Sequence, residues 1–158
     1  MSATCGTIVG ECAARLHRRY AEIARTRMAG VPICHPRLSV DVVGFEAEDG
    51  FACGVLVTPW CMNLVRMPLD AAARACIAPP GITAPRDFGK GRFDFLGSED
   101  AELGCFEAAS LFSPMDEFTD QANALAVAAV LLSRLRTAPE PEHVEQPARR
   151  RLFGLRTA

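Results

Sequence analysis

The chain has 158 residues, of which 49% are apolar and 23% charged, so it is long enough to bury the hydrophobic core of one domain. Its formal net charge of −2 excludes the strongly basic composition of dedicated nucleic-acid binders, and we expect no nucleic-acid partner. The longest apolar run, Leu125 to Leu132, is too short to cross a bilayer, so we expect no membrane insertion.

Seven cysteines occur without any C-x-x-C pair or regular spacing. This usage is typical of reduced thiols in the cytosol rather than of a disulfide framework. The first 20 residues also lack the charged-then-apolar pattern of a signal peptide. We therefore expect a cytoplasmic protein.

The first predicted element is a helix from about Thr7 to Met28, with Thr7 as its N-cap and Gly30 and Pro32 after its end. Apolar residues recur at steps of three and four along it, at Val9, Ala13, Leu16, Tyr20 and Ile23. The opposite side is rich in arginine, at Arg15, Arg18, Arg19, Arg25 and Arg27. That side is either a solvated face or a docking face.

A hairpin is predicted next, from LSVDVVGF at Leu38 to Phe45, through an acidic turn at 46–50, into FACGVLVT. The segment Gly54 to Pro68, GVLVTPWCMNLVRMP, places Pro59, the only tryptophan and an asparagine inside an apolar run. Proline breaks a sheet ladder, so this segment is predicted to be a strand, a kink and a third strand, with a bulge near the kink.

Asp70 to Cys76 is predicted to form a helical turn, and the proline- and glycine-rich stretch 77–91 a long loop. Strands follow at 92–96 and 105–112. A second long helix is predicted from Ser113, as N-cap, to Arg136, with an apolar stripe at Met115, Phe118, Ala122, Leu125, Ala129 and Leu132.

These elements predict an α+β fold, a mainly antiparallel β-sheet packed with N-terminal and C-terminal amphipathic helices. A single domain is expected over residues 1–137. Residues 138–158 are proline-rich and charged, and we expect them to form a flexible C-terminal tail.

Catalytic and metal motifs are scarce. Cys34-His35 is the best candidate for a nucleophile and base, although adjacent side chains usually point apart, and the alternative is an ordinary loop dipeptide. No cysteine or histidine pair has metal-ligand spacing. The FGKGRF stretch at 88–93 lacks the full phosphate-binding pattern. We expect no catalytic residues, no cofactor and no metal.

Three longer stretches carry a family resemblance. GVLVTPWCMNLVRMPLD, CFEAASLFSPMDEFTDQANALAVAA and RTRMAGVPICHPRLSVDVVGF resemble the nickel-iron hydrogenase assembly chaperones of the HybE and HupJ type. The resemblance covers about Arg25 to Leu132. It implies a small, non-enzymatic, cytoplasmic protein that handles a hydrogenase precursor, chiefly the iron-sulfur small subunit, before export by the twin-arginine pathway. Other hydrogenase accessory proteins are further expected partners.

Such a protein needs an accessible apolar surface, and two segments provide candidates for it. The partner-binding residues predicted from the resemblance are Pro59, Trp60, Met62 and Asn63 at the kink and Phe112, Ser113, Pro114, Met115, Glu117 and Phe118 at the strand-to-helix corner. The alternatives are core packing for Trp60 and helix capping for the corner. Asn63 either satisfies a kinked backbone or faces a partner peptide, which could add along an exposed strand.

Residues 150–153 of the tail follow the R-R-x-F order of a twin-arginine export motif, at the wrong end of the chain. One hypothesis is that the tail mimics the client's signal and occupies the groove that recognises it. The alternative is a plain basic end. For the whole protein, the alternatives to a chaperone are a structural or scaffolding accessory protein of the maturation complex and, more remotely, a thiol-dependent enzyme.

Overall fold

The computed structural model describes residues 2–137 and contains one antiparallel β-sheet with a long helix on each face. Its six strands are ordered β1-β2-β3-β6-β5-β4. This confirms the predicted α+β fold. The elements are α1 Ser2–Arg25, β1 Asp41–Glu48, β2 Phe51–Val57, β3 Met62–Pro68, α2 Ala71–Arg74, β4 Thr83–Phe88, β5 Gly91–Asp100, β6 Gly104–Phe112 and α3 Gln121–Arg136.

Two hydrophobic cores lie on the two faces of the sheet. The core under α1 contains Leu16, Leu56 and Val65, and the core under α3 contains Val55 and Leu64. Because alternate residues of a strand point to opposite faces, a strand covered on both sides must be apolar throughout. This explains the continuous apolar run of β2, in which every residue is buried.

The predicted bulge near the kink is confirmed, since the register of β3 against β6 shifts between Met62 and Asn63. Met62 and Leu64 pack in the α3 core, whereas Met67 packs in the α1 core. The three side chains therefore do not share a face.

The first helix begins earlier than predicted, at Ser2, so Thr7 lies inside α1 and is not its N-cap. The predicted apolar stripe is confirmed by the burial of Val9, Leu16 and Ile23. Its arginine face is only partly in solvent. Arg15 donates to the Glu102 carbonyl, and Arg19 donates to the Asp100 carboxylate at the end of β5, so part of this face anchors the helix to the sheet.

The predicted loop over 77–91 is wrong, because it contains β4 and the two-residue turn that joins it to β5. β4 is the last strand of the sheet, and its outer edge has no neighbouring strand among the residues described. An edge strand tolerates Pro85, since the missing N–H interrupts no ladder on that side.

The predicted start of the last helix is also wrong. Residues 113–120 are irregular, and α3 begins at Gln121, where the Asp120 side chain accepts from the Asn123 N–H at 2.9 Å. Counting the helical period from Met115, which lies outside the helix, placed Ala122 and Ala129 on the buried stripe, but both are exposed. The buried residues of α3 are Ala124, Ala128 and Leu132.

The predicted tail, residues 138–158, lies outside the described part of the chain, and so does the R-R-x-F motif. None of the helices between residues 2 and 137 has both the length and the apolar character needed to span a membrane.

Candidate client-binding surface

The predicted kink is the turn of a hairpin, residues 58–61, between β2 and β3. Thr58 is fully buried, and its hydroxyl accepts from the N–H groups of Trp60 at 3.2 Å and Cys61 at 2.9 Å. It also donates to the Cys61 carbonyl at 3.0 Å. A threonine that satisfies its own turn in this way holds the turn in one shape. Thr58 therefore fixes the position of Trp60.

Trp60 is partly exposed rather than a core residue. Its backbone is held by Thr58, but no group among the described residues accepts a hydrogen bond from its indole N–H. Asn63 is also partly exposed and pairs with Leu56 and Ser110 on the neighbouring strands. The turn thus presents an indole and an amide at the end of the sheet.

A depression of about 460 Å³ lies beside this turn, on the α1 side of the sheet. Pro59 forms part of its wall. The other lining residues come from α1 and from the segment before β1, namely His17, Ala21, Ala24, Arg25, Leu38, Ser39 and Val40. The space is large enough for one or two apolar side chains.

The second predicted segment, residues 112–118, lies next to the first one. Phe112 pairs with Met62 across β6 and β3, and its ring meets that of Phe118 edge-on with centroids 5.0 Å apart. Ser113 and Pro114 are exposed, and the peptide bond between them is cis. The structure therefore brings together two segments that are some 50 residues apart in the sequence.

His35 ties the two segments together. Its backbone N–H donates to the Pro59 carbonyl at 2.9 Å. Its Nδ1 accepts from the Arg37 N–H at 3.0 Å, so the ring proton is on Nε2, which donates to the Phe118 carbonyl at 2.7 Å. The loop before β1 thus holds the turn and the corner in a fixed relation.

Burial divides the predicted partner-binding residues into two groups, and Pro59, in the wall of the depression, belongs to the buried one. Met62 and Met115 are fully buried and Phe118 is 5% exposed, because all three pack in the α3 core. They support the surface from below and are not available to a partner in this conformation. The accessible residues, which we call the hairpin-corner surface, are Trp60, Asn63, Phe112, Ser113, Pro114 and Glu117.

The expectation that a peptide adds along an exposed strand here is wrong. β3 lies between β2 and β6, so both of its edges are already paired. A partner at the hairpin-corner surface must bind through side chains at the end of the strands.

The corner carries negative charge. Asp116 and Glu117 are both exposed, and the nearby Arg37 guanidinium donates to the Thr119 carbonyl at 3.4 Å rather than to either carboxylate. Aromatic and acidic groups are therefore adjacent, a combination that suits a basic and apolar segment.

The Cys34-His35 dipeptide is not arranged as a nucleophile and base. Both ring nitrogens of His35 bond to backbone groups, and the Cys34 thiol donates to the Met28 carbonyl at 3.4 Å. Burial raises the pKa of the Cys61 thiol, although hydrogen bonds with Thr58 and Asn63 oppose the rise. Between residues 2 and 137, no three His, Cys, Asp or Glu side chains are grouped so that they could hold a metal ion.

Thr58 and His35 were not predicted from the sequence to shape this surface. A threonine directly before a proline is a recognisable turn signal, so the role of Thr58 could have been found. That of His35 could not, because its bond to Phe118 joins residues 83 positions apart.

The chain is similar to hydrogenase proteins from several bacteria. It is 41% identical over 135 residues to the hydrogenase expression/formation protein HupT of Azotobacter chroococcum, covering 85% of this chain and 89% of that one. It is 39% identical over 136 residues to the protein HoxT of Cupriavidus necator, covering 79% and 75% of the two chains.

The fold matches the solution structure of HybE from Escherichia coli, with a TM-score of 0.59 over 81% of this chain and 78% of that one, at 19% sequence identity. Residues 11–155 match the family described as NiFe-hydrogenase assembly, chaperone, HybE. The chain therefore belongs to the HybE family of nickel-iron hydrogenase assembly chaperones.

Proposed function

We propose that this chaperone binds the precursor of the iron-sulfur small subunit through the hairpin-corner surface, in the cytoplasm and before export. The role in hydrogenase assembly follows from the family. The observation that supports the site is the meeting of two distant segments, held by His35, around partly exposed Trp60 and Phe112. No bond is made or broken in such a role, since the chaperone has only to hold its client and release it.

We further propose that the segment recognised is the client's twin-arginine signal peptide. A signal of this class combines arginines with an apolar stretch. The carboxylates of Asp116 and Glu117 would bind the arginines, and Trp60 and the depression beside Pro59 would receive apolar side chains. The unpartnered indole N–H of Trp60 would then find a carbonyl of the peptide.

The test is a titration of a fluorescent signal peptide against the full-length chain, followed by fluorescence anisotropy. Trp60→Ala and Glu117→Lys are each expected to weaken binding about tenfold or more, because central aromatic and charged contacts dominate peptide interfaces. The matched controls are Leu96→Ala and Glu99→Lys, which change exposed residues of β5. Equal affinity of the site and control variants would refute this surface.

Co-purification separates binding to the signal from binding elsewhere on the client. Precursor small subunit with its signal peptide is expected to be retained by the chaperone, and precursor without it to be lost. Retention of both would place recognition outside the signal. A structural accessory protein, the alternative, would remain bound to mature hydrogenase, whereas a chaperone would be absent from it.

A further inference from the structure

A second open surface lies on the same side of the sheet as α1 and shares no residue with the hairpin-corner surface. It is a groove of about 620 Å³ between the first half of α1 and the edge strand β1. It continues past Cys5 and Ala47 into a second space of about 370 Å³. We call both together the α1-β1 groove; its apolar lining consists of Cys5, Ile8, Val9, Ala13, Val42, Phe45, Ala47 and Leu69.

The groove results from small residues on the helix and a fixed ring on the strand. Gly6 and Gly10 face it from α1 without filling it. Phe45 lies over Gly54 so closely that a Cβ at that position would be 2.3 Å from its ring. The floor is therefore aromatic and fixed, and β1 has no further strand beside it among the described residues.

Acidic side chains border the groove. Glu46 lies at one end, and Glu48, Asp49 and Asp70 line its continuation. Among the described residues, one cation, Arg136, partly offsets them, with its guanidinium 2.6 Å from the Glu48 carboxylate and 3.6 Å from that of Glu46. Four carboxylates against one guanidinium leave the rim negative, so it complements a basic apolar segment.

The described chain ends beside this groove. Arg136 donates to the Gly44 carbonyl at 2.6 Å and to the Cys53 carbonyl at 2.9 Å, which fixes the end of α3 against β1. Thr137 lines a separate depression between α3 and β1, and Glu46 lines both this depression and the α1-β1 groove. The remaining 21 residues, 138–158, therefore start within a few residues' length of the groove.

The composition of residues 149–156, RRRLFGLR, matches the groove. Four arginines surround Leu152, Phe153 and Leu155, with no acidic residue among them. The preceding residues 138–148 contain all three glutamates of this part of the chain. Basic and apolar groups are thus concentrated in one segment far enough from Thr137 to bend back.

We propose that residues 149–156 bind in the α1-β1 groove of the same molecule, with Leu152 and Phe153 on its apolar floor and the arginines on its acidic rim. Fourteen residues, 138–151, connect Thr137 to Leu152. A chain of that length spans about 50 Å when extended and about 20 Å on average as a coil. The segment is therefore long enough to reach the groove. The proposal does not depend on which client the hairpin-corner surface binds.

Because residues 149–156 are tethered to the domain, even a weak contact is enough to keep the groove occupied. A short connecting segment gives an effective concentration on the order of 1 mM, so an intrinsic dissociation constant of about 0.1 mM fills the groove roughly ten times out of eleven. A segment held this way is displaced readily by a stronger competitor. The groove is thus closed in the free chaperone and can be opened.

Cys5 provides a native probe, because its thiol lines the groove in both spaces. We expect the double substitution Leu152→Asp and Phe153→Asp in the full-length chain to speed alkylation of Cys5 about tenfold, measured by peptide mass spectrometry. The internal control is Cys76, which is exposed and lies outside the groove. The control substitution is Thr157→Asp, which changes charge outside the segment.

Two further measurements separate release of the segment from a change in folding. A peptide of residues 147–158 added to that variant is expected to protect Cys5 again. Glu46→Arg is expected to deprotect Cys5, and combining it with Arg150→Glu and Arg151→Glu to restore protection. Unchanged Cys5 alkylation in every variant would overturn the proposal. Protection that rises with protein concentration would also overturn it, because the occupant would then be the tail of a second copy.

Discussion

Glu107 is the shared acceptor of a buried polar cluster in the sheet. Its side chain is fully buried in β6, where it accepts from Arg66, from Arg86 at 2.8 Å and from the Ala78 N–H at 2.6 Å. The Arg66 guanidinium also lies 3.8 Å from the centre of the Phe51 ring. A buried carboxylate is tolerated only when its partners compensate for the lost hydration.

Glu107→Gln is expected to lower the free energy of unfolding by about 3 kcal/mol, since it leaves two arginines without their counter-charge. Urea denaturation followed by far-ultraviolet circular dichroism measures the loss. The control is Glu99→Gln on β5, where the exposed carboxylate should contribute less than about 0.5 kcal/mol. Similar losses in the two variants would contradict this account of Glu107.

At the scale of elements, the sequence predicted those parts whose structure depends on neighbours along the chain. The interruption at 58–61 was predicted, as a kink between two strands, because Pro59 cannot lie inside a ladder. The helix α1 was predicted because its apolar stripe repeats. β4 was missed, since only its place at the sheet edge makes Pro85 acceptable. The start of α3 was misplaced, because Ser113-Pro114 has the composition of a helix start but lies in an irregular corner.

The attachment of α1 to the sheet, through Arg19 and Asp100, is expected to contribute a stabilisation that depends on pH. Burial raises the pKa of Asp100, but hydrogen bonds from the Glu102 N–H, the Arg19 side chain and the Leu103 N–H outweigh it and hold that pKa below its usual range. The folded state thus binds the proton less tightly than the unfolded chain. The stabilisation is complete above pH ~4 and is lost as the pH falls through the folded-state pKa.

Asp100→Asn is therefore expected to reduce the free energy of unfolding by about 1–2 kcal/mol at pH 7. This is towards the low end of the effect of hydrogen bonds to charged groups, because the Arg19–Asp100 pair is partly exposed. The difference from the unsubstituted protein should shrink as the pH falls below about 4 and through the folded-state pKa of Asp100. Urea midpoints at pH 7, 5 and 3 measure it, with the exposed Asp94→Asn as control. A difference that does not change with pH would show that charge on Asp100 contributes nothing to holding α1.

At the scale of the whole molecule, the two segments of the candidate site could be predicted from the sequence, but their arrangement could not. The resemblance pointed to the turn and the corner, but not to their contact, which depends on the β3-β6 pairing and on His35. It also could not separate Trp60, which is accessible, from Met62, which is buried. That distinction arises because Met62 lies on the same face of β3 as Leu64, in the α3 core, whereas Trp60 lies in the turn outside the strand.

The thiol chemistry of the whole molecule follows from the same packing. Burial raises the pKa of Cys53 to about 12, so at pH 8 roughly one thiol in 10⁴ is ionised. Its strand is the fully buried β2, and its carbonyl is bonded to Arg136. Alkylation of Cys53 thus requires opening of the sheet, whereas the exposed Cys76 should react directly.

We therefore expect the alkylation rate of Cys53 at pH 8 to follow global stability. Glu107→Gln, at about 3 kcal/mol, should accelerate it about 100-fold when opening and closing are fast, because the rate then tracks the open population. The Cys76 rate should stay the same. Peptide mass spectrometry over a time course measures both. A Cys53 rate that is equal in the two proteins would mean that this thiol is reached by a local motion, and that the two cores do not open as one unit.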